Sequence, residues 1–460
     1  MTGSEVKGNK YFVIFIATIA ATGGLLFGFD TGVISGALLF IKKDWLLSEA
    51  SQGWVVSSVL VGAILGAGLS GKLADKYGRR NVIIVTAVIF FLGSIATGLA
   101  PSVEWLIAGR IVIGIAIGVA SYAVPLYISE ISPSNARGAL VSLNQLAITI
   151  GILSSYFIDY IFAAFEHGWR YMFLVGVVPS LILGIGMYFL PKTPRWLMSH
   201  NFDEEAIKVF AKINPDKDAR AEIMKIRETM AEESGASFKD LFVPWLRPAL
   251  IIGISMMLIQ QLTGINTVIY YAPTIFQMSG ITCETGAISA TVVVGVINVL
   301  FTIVSIWLLD KIGRRPLLLG GLIGMIISLG VLGGAFWNTE LLGDALKWVT
   351  IGSLIVYIAS FAISLGPICW LIISEIYPVK IRGLAMSIAT FTNWGSNFII
   401  ALTFLILVKN LGEATTFWLY AGIGFIGLLF CYFYVPETKG HSLEEIEQHW
   451  IDGKHPRELR

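Results

Sequence analysis

Two charged residues inside apolar segments are the first candidates for chemistry. Asp30 stands in "LFGFDTGVISG", within an apolar run at 12–40, and Arg110 lies in another apolar run at 104–128. An unpaired charge in a membrane interior is costly, so such charges are usually paired or neutralised. A carboxylate whose pairing and access to water change can bind and release a proton. The two residue types therefore predict a proton-binding pair, and a static ion pair between the first and fourth helices is the alternative.

A second group of candidates is polar but neutral. Side-chain amides both donate and accept hydrogen bonds, which suits a ligand rich in hydroxyl groups. Their alternative role is to hold membrane helices together, at about 0.6 kcal/mol each on average. Seven such amides gather on four apolar segments, which favours a cavity: Gln145, Gln260, Gln261, Asn266, Asn298, Asn393 and Asn397. Aromatic side chains that could face a ring-shaped ligand or cap the cavity accompany them: Phe27, Tyr270, Tyr271, Phe361, Trp370 and Trp394.

The composition places these residues in a membrane protein. Of the 460 residues, 55% are hydrophobic and only 14% are charged, whereas soluble proteins average about 25% charged residues. A net charge of +1 gives no global field that would attract nucleic acid. The three cysteines stand far apart and the five histidines form no ligand spacing. We therefore expect no metal, disulfide or other cofactor.

Twelve apolar segments are long enough to cross a bilayer, which takes about 20 residues in a helix. Six precede and six follow a long polar stretch. We predict an all-α membrane protein of twelve transmembrane helices, with six-helix halves at 1–195 and 248–435, a cytoplasmic linker with short helices at 196–247, and a cytoplasmic tail at 436–460. The segments fall near 12–40, 52–74, 81–100, 104–128, 138–162, 170–190, 248–279, 286–309, 316–337, 348–373, 383–408 and 415–435.

The placement of lysine and arginine predicts the orientation. With the N-terminus inside, 26 of the 32 basic residues fall on the cytoplasmic side, as the positive-inside rule requires. Both termini are therefore expected in the cytoplasm. The sequence has no N-x-S/T glycosylation acceptor, which favours a bacterial plasma membrane over an animal cell surface.

Short charged motifs occur once in each half of the chain. Their recurrence predicts two parallel structural repeats, an architecture in which the substrate site lies near the membrane midplane between the halves. The copies are offset by 235 or 245 residues: "DKYGRR" (75–80) with "DKIGRR" (310–315), "SEISPSNARG" (129–138) with "SEIYPVKIRG" (374–383), and "PKTPRW" (191–196) with "PETKG" (436–440).

Taken together, these motifs resemble those of the sugar porter family of the major facilitator superfamily. The match includes "PKTPRWL" and "QQLTGINTVIYYAP", and it covers nearly the whole chain in order and spacing. The resemblance implies a secondary active transporter that moves a monosaccharide with a proton by alternating access. A hexose such as glucose or galactose ranks first and a pentose stays possible. Ile152 stands where the bacterial xylose symporter has a second glutamine, which lowers xylose in this ranking.

The resemblance also implies roles for individual residues. Asp30 and Arg110 match the proton-coupling pair of the bacterial symporters. The positions that match sugar contacts are Gln145, Gln260, Gln261, Asn266, Asn298, Trp370 and Asn393. We add Phe27 and Trp394 as aromatic neighbours of the sugar, and Tyr270 and Tyr271 as a gate. Gly264 with Pro273, near the glutamines of the seventh segment, suggests a helix that breaks there.

Charged residues at the cytoplasmic helix ends form a third group. Acids and bases recur at matching positions of both halves, whereas membrane topology requires only the bases. The alternative is topology with solvated salt bridges, each contributing about 0–1 kcal/mol. The resemblance implies a latch between the halves that holds the cytoplasmic side shut, formed by Asp75, Arg79, Glu130, Arg137, Asp310, Arg314, Glu375 and Arg382.

Two other functions compete with proton-coupled transport. The same scaffold works as an uncoupled facilitative uniporter if Asp30 and Arg110 are purely structural. A transporter-like sugar sensor is less favoured, because the tail after Pro436 has only 24 residues, too few for a signalling domain. No nucleotide-binding loop or set of catalytic side chains emerges, so we expect no enzyme. The expected partners are a monosaccharide, a proton and the lipid bilayer, without nucleic acid, and the chain is expected to act as a monomer.

Overall fold

The structure is a computed structural model, and every segment that it describes is helical or lies in a turn or loop. It describes the backbone of residues 3–133, 136–215, 218–233, 240–241 and 243–459, without the side chains of residues 3–10, 229–233, 310 and 379.

Twelve helical spans in the described residues are long and apolar enough to cross a membrane. The prediction of an all-α, twelve-span chain is therefore confirmed, and the protein is a multi-pass membrane protein. The first six spans are α1 (Gly3–Asp44), α2 (Glu49–Tyr77), α3 (Arg79–Gly98), α4 (Val103–Ile131), α5 (Arg137–Phe162), and α6 (Gly168–Leu174) with α7 (Val177–Phe189). The polar stretch contains α8 (Pro194–Ser199), α9 (Asp203–Ile213) and α10 (Ala219–Glu233).

The second set of spans contains two that are divided into shorter helices. They are α11 (Arg247–Leu262) with α12 (Ile265–Met278), α13 (Glu284–Ile312), α14 (Arg314–Trp337), α16 (Ala345–Ile363) with α17 (Leu365–Ile376), α18 (Arg382–Leu411) and α19 (Glu413–Tyr434). The short α15 (Thr339–Leu342) precedes α16, and α20 (Leu443–Ile451) lies in the tail. Because successive spans alternate in direction, we call the side that carries α8–α10 the linker side and the side of the turn after α1 the far side.

A single glycine turns the chain in each copy of the D-x-x-G-R-R motif. Gly78 separates α2 from α3 with φ of 88°, and Gly313 separates α13 from α14 with φ of 106°. Residues other than glycine rarely adopt such positive φ values. The motif therefore recurs because the same tight linker-side turn is made twice.

The seventh span breaks where the sequence predicted a break. Gly264, between α11 and α12, has a left-handed conformation with φ of 90°. Pro273 lies inside α12 and does not end it. The break frees the carbonyl of Thr263, which accepts a hydrogen bond of 2.9 Å from the Tyr357 hydroxyl. A freed backbone group in a membrane needs such a partner.

The tenth span also breaks, at Ser364, where no break was predicted from the sequence. Pro367 explains this break, because it lacks the N–H that would bond the carbonyl four residues earlier and its ring clashes with that carbonyl. After the break, the carbonyl of Leu365 accepts a hydrogen bond of 2.7 Å from Gln260 Nε2. A side chain of the seventh span thus stabilises the break in the tenth.

Packing divides the chain into two compact units that differ from the two repeats. The second unit joins the far-side ends of α1, α2 and α5 to all the spans from α11 onward. The units are Met1–Asp30, Val61–Ile152 and Arg170–Gly235 for the first, and Thr31–Leu60, Leu153–Trp169 and Ala236–Arg460 for the second. The division at 195 and 248 follows the sequence repeat, and it stays a prediction.

Glycines let helices of the first unit approach backbone to backbone. A Cβ atom on Gly28 of α1 would lie 1.9 Å from the carbonyl oxygen of Ile148 on α5. On the other helix, a Cβ on Gly151 would lie 2.2 Å from the carbonyl oxygen of Leu25. The segment of α1 just before Asp30 is therefore held tightly against α5.

Gly28→Ala is expected to destabilise the protein, because the new methyl group overlaps the α5 backbone and overpacking costs about 1–3 kcal/mol. The measurement is the thermal unfolding temperature of the detergent-solubilised chain. Gly68→Ala on α2 is the matched control, because nothing lies within 4 Å of its Cβ position. Equal unfolding temperatures for the two variants would contradict the close approach of α1 and α5.

Candidate functional site

The predicted charged pair is formed inside the first unit. Arg110 Nη1 of α4 lies 3.7 Å from Asp30 Oδ1 of α1, and the two side chains are 0% and 3% exposed. A charge-assisted hydrogen bond is shorter, about 2.7–2.9 Å, so this is an ion pair without a direct hydrogen bond. Asp30 Oδ2 is buried and has no hydrogen-bond partner among the described residues. The pair therefore leaves an oxygen at which Asp30 can take up a proton.

An aromatic ring covers the arginine of this pair. The guanidinium carbon of Arg110 lies 5.8 Å from the centre of the Phe173 ring, which belongs to α6. A cation over an aromatic face is stabilised, more so when it is removed from water. Arg110 therefore has a favourable environment besides Asp30, so its charge can persist if Asp30 becomes neutral.

Four of the predicted amides form one hydrogen-bonded cluster in the second unit. We call Gln260, Gln261, Asn266 and Asn393 the amide cluster. Asn393 Nδ2 donates to Gln260 Oε1 at 2.6 Å, and Gln261 Nε2 donates to Asn393 Oδ1 at 3.1 Å. Asn266 Nδ2 donates to Gln261 Oε1 at 2.6 Å. The cluster thus joins α11, α12 and α18 through groups that both donate and accept.

Two helix breaks position the amide cluster. Gln260 and Gln261 lie in the last turn of α11, just before Gly264, and Asn266 lies in the first turn of α12, just after it. Gln260 also bonds the first residue of α17, at the break in the tenth span. Amides at irregular backbone in a membrane are typical of transporter binding sites. A hydroxyl-bearing ligand could exchange with the bonds within the cluster, because each amide offers both a donor and an acceptor.

The other predicted ligand contacts are held by different elements. Asn298 is buried on α13, and none of the hydrogen bonds in the described part of the chain involves its side chain. Trp394 is buried on α18 beside Asn393, whereas Trp370 on α17 is half-buried. Gln145 on α5 and Phe27 on α1 are half-buried and belong to the first unit.

The two predicted gate tyrosines tie α12 to α18. The Tyr271 hydroxyl donates to the carbonyl of Ala401 at 2.8 Å. The Tyr270 hydroxyl accepts from Asn397 Nδ2 at 3.3 Å. Both tyrosines are almost completely buried. They tie α12 to α18 on the far side of the break at Gly264.

The linker-side charges pair within each repeat in this structure. Arg79 bonds Glu130 at 3.1 Å and Asp75 at 3.0 Å. In the second repeat, Arg314 bonds Glu375 at 2.9 Å. Each arginine follows the glycine turn, and each glutamate lies near the linker-side end of the next span. The repeated motifs therefore build the same ion pair twice.

The remaining latch residues have different surroundings. Arg137 is exposed at the start of α5, and Arg382 Nε donates to the carbonyl of Tyr377 at 3.2 Å. The side chain of Asp310 lies outside the described residues. The latch between the halves stays a prediction.

A second buried carboxylate, Asp159, was not among the residues predicted from the sequence. Asp159 lies on α5 with 0% exposure, and its Oδ2 accepts a hydrogen bond of 3.1 Å from the backbone N–H of Gly36 on α1. The signal was present, because Asp159 interrupts the apolar segment predicted at 138–162 just as Asp30 interrupts the first one.

Comparisons with known proteins agree with this architecture. Residues 16–450 match the family model described as "Sugar (and other) transporter". The chain is 43% identical over 442 residues to the glucose transporter GlcP of Staphylococcus epidermidis, covering 96% of this chain and 97% of that one. It is 40% identical over 456 residues to the galactose-proton symporter of Escherichia coli K12, covering 98% and 97%.

A solved structure is also similar over nearly the whole chain. The inward open conformation of the xylose transporter XylE from E. coli matches with a TM-score of 0.83 and 35% identity, covering 95% of this chain and 100% of that one. The fold and the resemblance predicted from the motifs are therefore confirmed. With a family model that spans almost every residue and relatives that match from end to end, this chain belongs to the sugar transporter family.

Proposed function

We propose that this protein is a proton:monosaccharide symporter that works by alternating access in a bacterial plasma membrane. The observation that carries the proposal is the buried ion pair of Asp30 and Arg110, with 3.7 Å between Nη1 and Oδ1. In the described part of the chain, Asp30 Oδ2 has no hydrogen-bond partner. A facilitator that moves sugar without protons has no need of an ionisable carboxylate at such a cost in burial.

The relatives support the choice of substrate. Among proteins with 40% or more identity, one is named a glucose transporter and another a galactose-proton symporter. We therefore rank a hexose first, and the similarity to the xylose transporter keeps a pentose in the range. The ligand proposed for the amide cluster is a monosaccharide, which presents hydroxyl groups that donate and accept as the amides do. Trp370 and Trp394, with Phe27 and Gln145, are proposed to complete the contacts.

The proposed proton step changes the charge at Asp30. Proton binding removes the attraction between Asp30 and Arg110, while the Phe173 ring still stabilises the arginine. The tie between α1 and α4 then weakens, which lets these helices rearrange when sugar is bound. Deprotonation restores the ion pair and resets the transporter. This scheme needs no change in any covalent bond of the sugar.

We infer that α12 is the moving gate. The Gly264 turn supplies the hinge, and the hydrogen bonds of Tyr270 and Tyr271 to α18 hold the gate in place. The linker side, with both termini, is proposed to face the cytoplasm, because most lysines and arginines lie there. On that side we propose that the charged residues of the two repeats also form a latch between the halves.

Addition of sugar to vesicles without an imposed gradient tests the proposal. A symporter carries protons inward with the sugar, so the medium outside proteoliposomes that contain the purified chain becomes alkaline. We expect this signal with glucose or galactose and a smaller one with xylose, arabinose or myo-inositol. Uptake of labelled sugar without any pH change would identify an uncoupled uniporter instead.

A further inference from the structure

The second buried carboxylate, Asp159, has the geometry of a proton-binding group. Its side chain is fully buried, Oδ2 accepts from the Gly36 N–H at 3.1 Å, and Oδ1 has no hydrogen-bond partner among the described residues. A Cβ atom on Gly36 would lie 2.5 Å from Asp159 Oδ2. The carboxyl group is therefore pressed directly against the α1 backbone, and one of its oxygens is left for a proton.

The described side chains around Asp159 supply no positive charge to balance an ionised carboxylate. On its own helix the titratable neighbour is Tyr156, and α12 contributes Tyr270, whose hydroxyl accepts from Asn397. The charged residues of α1 on this side lie at its far end and have other partners: Lys42 bonds Gln277, Lys43 bonds Glu284, and Asp44 bonds His167 and Trp169. Among the described residues, Asp159 forms no salt bridge. An isolated charge at such a site is costly, whereas a neutral acid is tolerated.

A hydrogen bond one helical turn from Asp159 joins α5 to α12. The Tyr156 hydroxyl donates at 2.9 Å to the carbonyl of Ile269 on α12. This carbonyl lies four residues before Pro273, which has no N–H to offer it. Tyr156 and Asp159 are three residues apart and thus share a helix face. The same face of α5 therefore meets both α1 and α12, and the contacts of Asp159 depend on this far-side packing.

Other contacts close the far side in the same unit. Lys43 of α1 bonds Glu284 of α13, and Lys409 of α18 bonds Glu49 of α2 at 2.9 Å. A Cβ on Gly53 of α2 would lie 2.6 Å from the carbonyl oxygen of Leu402 on α18. Opening of the far side, which alternating access requires, must break these contacts and admit water to Asp159.

We propose that Asp159 is a second proton-binding carboxylate, which holds a proton while the far side is closed and releases it to the far side when α1 and α5 separate. The inference rests on the proposed function, because it assigns the closed packing to one state of a transport cycle. The proton enters from far-side water and returns to the same water. It therefore regulates closure without adding to the number of protons transported per sugar.

The expected consequence is that far-side closure weakens as the pH on that side rises. When the far side closes, an ionised Asp159 loses its contact with water and gains no cation in exchange, so ionisation opposes closure. Closure therefore becomes rarer as the pH rises, by up to about tenfold per pH unit, which is the limit for one titrating group. Exchange of labelled for unlabelled sugar reports this step, because it needs opening and closing but no net proton movement.

The decisive experiment measures exchange from about pH 6 to about pH 9 in the Asp30→Asn background, which removes the first proton-binding group. We expect exchange to slow with rising pH, and we expect the double variant Asp30→Asn, Asp159→Asn to lose this dependence, because an amide stays neutral. Tyr156→Phe in the same background is the control, since it loosens the same helix face without changing a carboxylate, and it should keep the pH dependence. Exchange that is independent of pH before Asp159 is changed would overturn the inference.

An optical measurement separates this inference from the proposed function. The infrared carbonyl band of a protonated carboxylic acid should persist in the purified wild-type chain at about pH 8 and decrease in Asp159→Asn. The inference is overturned if the two spectra are the same. If the wild-type chain exchanges no sugar at all, the proposed function fails, and the infrared band still reports whether Asp159 holds a proton.

Discussion

Asp30→Asn is expected to abolish the accumulation of sugar against its gradient while exchange of sugar across the membrane continues. An amide at this position resembles the protonated acid, so it cannot release the proton that couples the cycle to the pH gradient. A gradient of about one pH unit corresponds to about 1.4 kcal/mol per proton, which lets the wild type accumulate sugar up to about tenfold. The variant should stop at equal concentrations inside and outside. Uptake of labelled sugar into proteoliposomes with an imposed pH gradient measures the difference.

The matched control is a carboxylate that lies outside the membrane-spanning helices. The side chain of Asp344 is completely exposed and pairs with Lys347. Asp344→Asn makes the same chemical change and should leave accumulation at the wild-type level. If Asp30→Asn still concentrates sugar, Asp30 is not the coupling group and the ion pair with Arg110 is purely structural.

Asn393→Ala is expected to raise the KM for sugar by about 5-fold to 150-fold. The substitution removes the acceptor of Gln261 and a donor to Gln260 at once. In the proposed complex, the loss of Asn393 leaves a buried sugar hydroxyl without its partner, which costs about 1–3 kcal/mol of binding free energy. Because the amide cluster is proposed to bind the sugar in every state, kcat should fall less than the affinity. Initial rates of uptake over a range of sugar concentrations separate the two quantities.

Asn410→Ala is the matched control on the same helix. Asn410 lies near the far-side end of α18, where its side chain is exposed and its Nδ2 donates to the carbonyl of Ile406 at 2.9 Å. Its removal should leave KM unchanged. An unchanged KM in Asn393→Ala would show that the cluster holds helices together and does not bind the sugar.

Much of the fold could be predicted because its signals are local. The length of each apolar segment identifies a span, and twelve such segments match the twelve spans found in the described residues. Gly264 with Pro273 indicated the break in the seventh span, and the structure shows that the left-handed conformation of Gly264 makes it. Nothing in the sequence pattern singled out Ser364. Pro367 explains this break once the backbone is known, but a proline alone does not predict a break, because Pro273 and Pro125 both lie inside continuous helices.

The candidate site could be predicted in part. The cost of an isolated charge in a membrane was enough to pair Asp30 with Arg110, although 80 residues separate them in the sequence. The hydrogen bonds of Gln260 with Asn393 could not be derived in this way, because they depend on how α11 and α18 cross. The sequence shows that Asp159 interrupts an apolar segment, but it does not show the partner of Asp159, because that partner is the backbone N–H of Gly36.

The sequence by itself determined the membrane class, the number of spans, the repeat and the residue types available for proton and sugar binding. These follow from composition, from segment length and from motifs in which a glycine must turn the chain or a charge must be paired. Only the tertiary structure decided that Arg79 and Arg314 each pair within their own repeat, and that the far-side ends of α1, α2 and α5 pack with the second set of spans. The physical reason is that these contacts join residues far apart in the chain, and their geometry depends on the packing of whole helices.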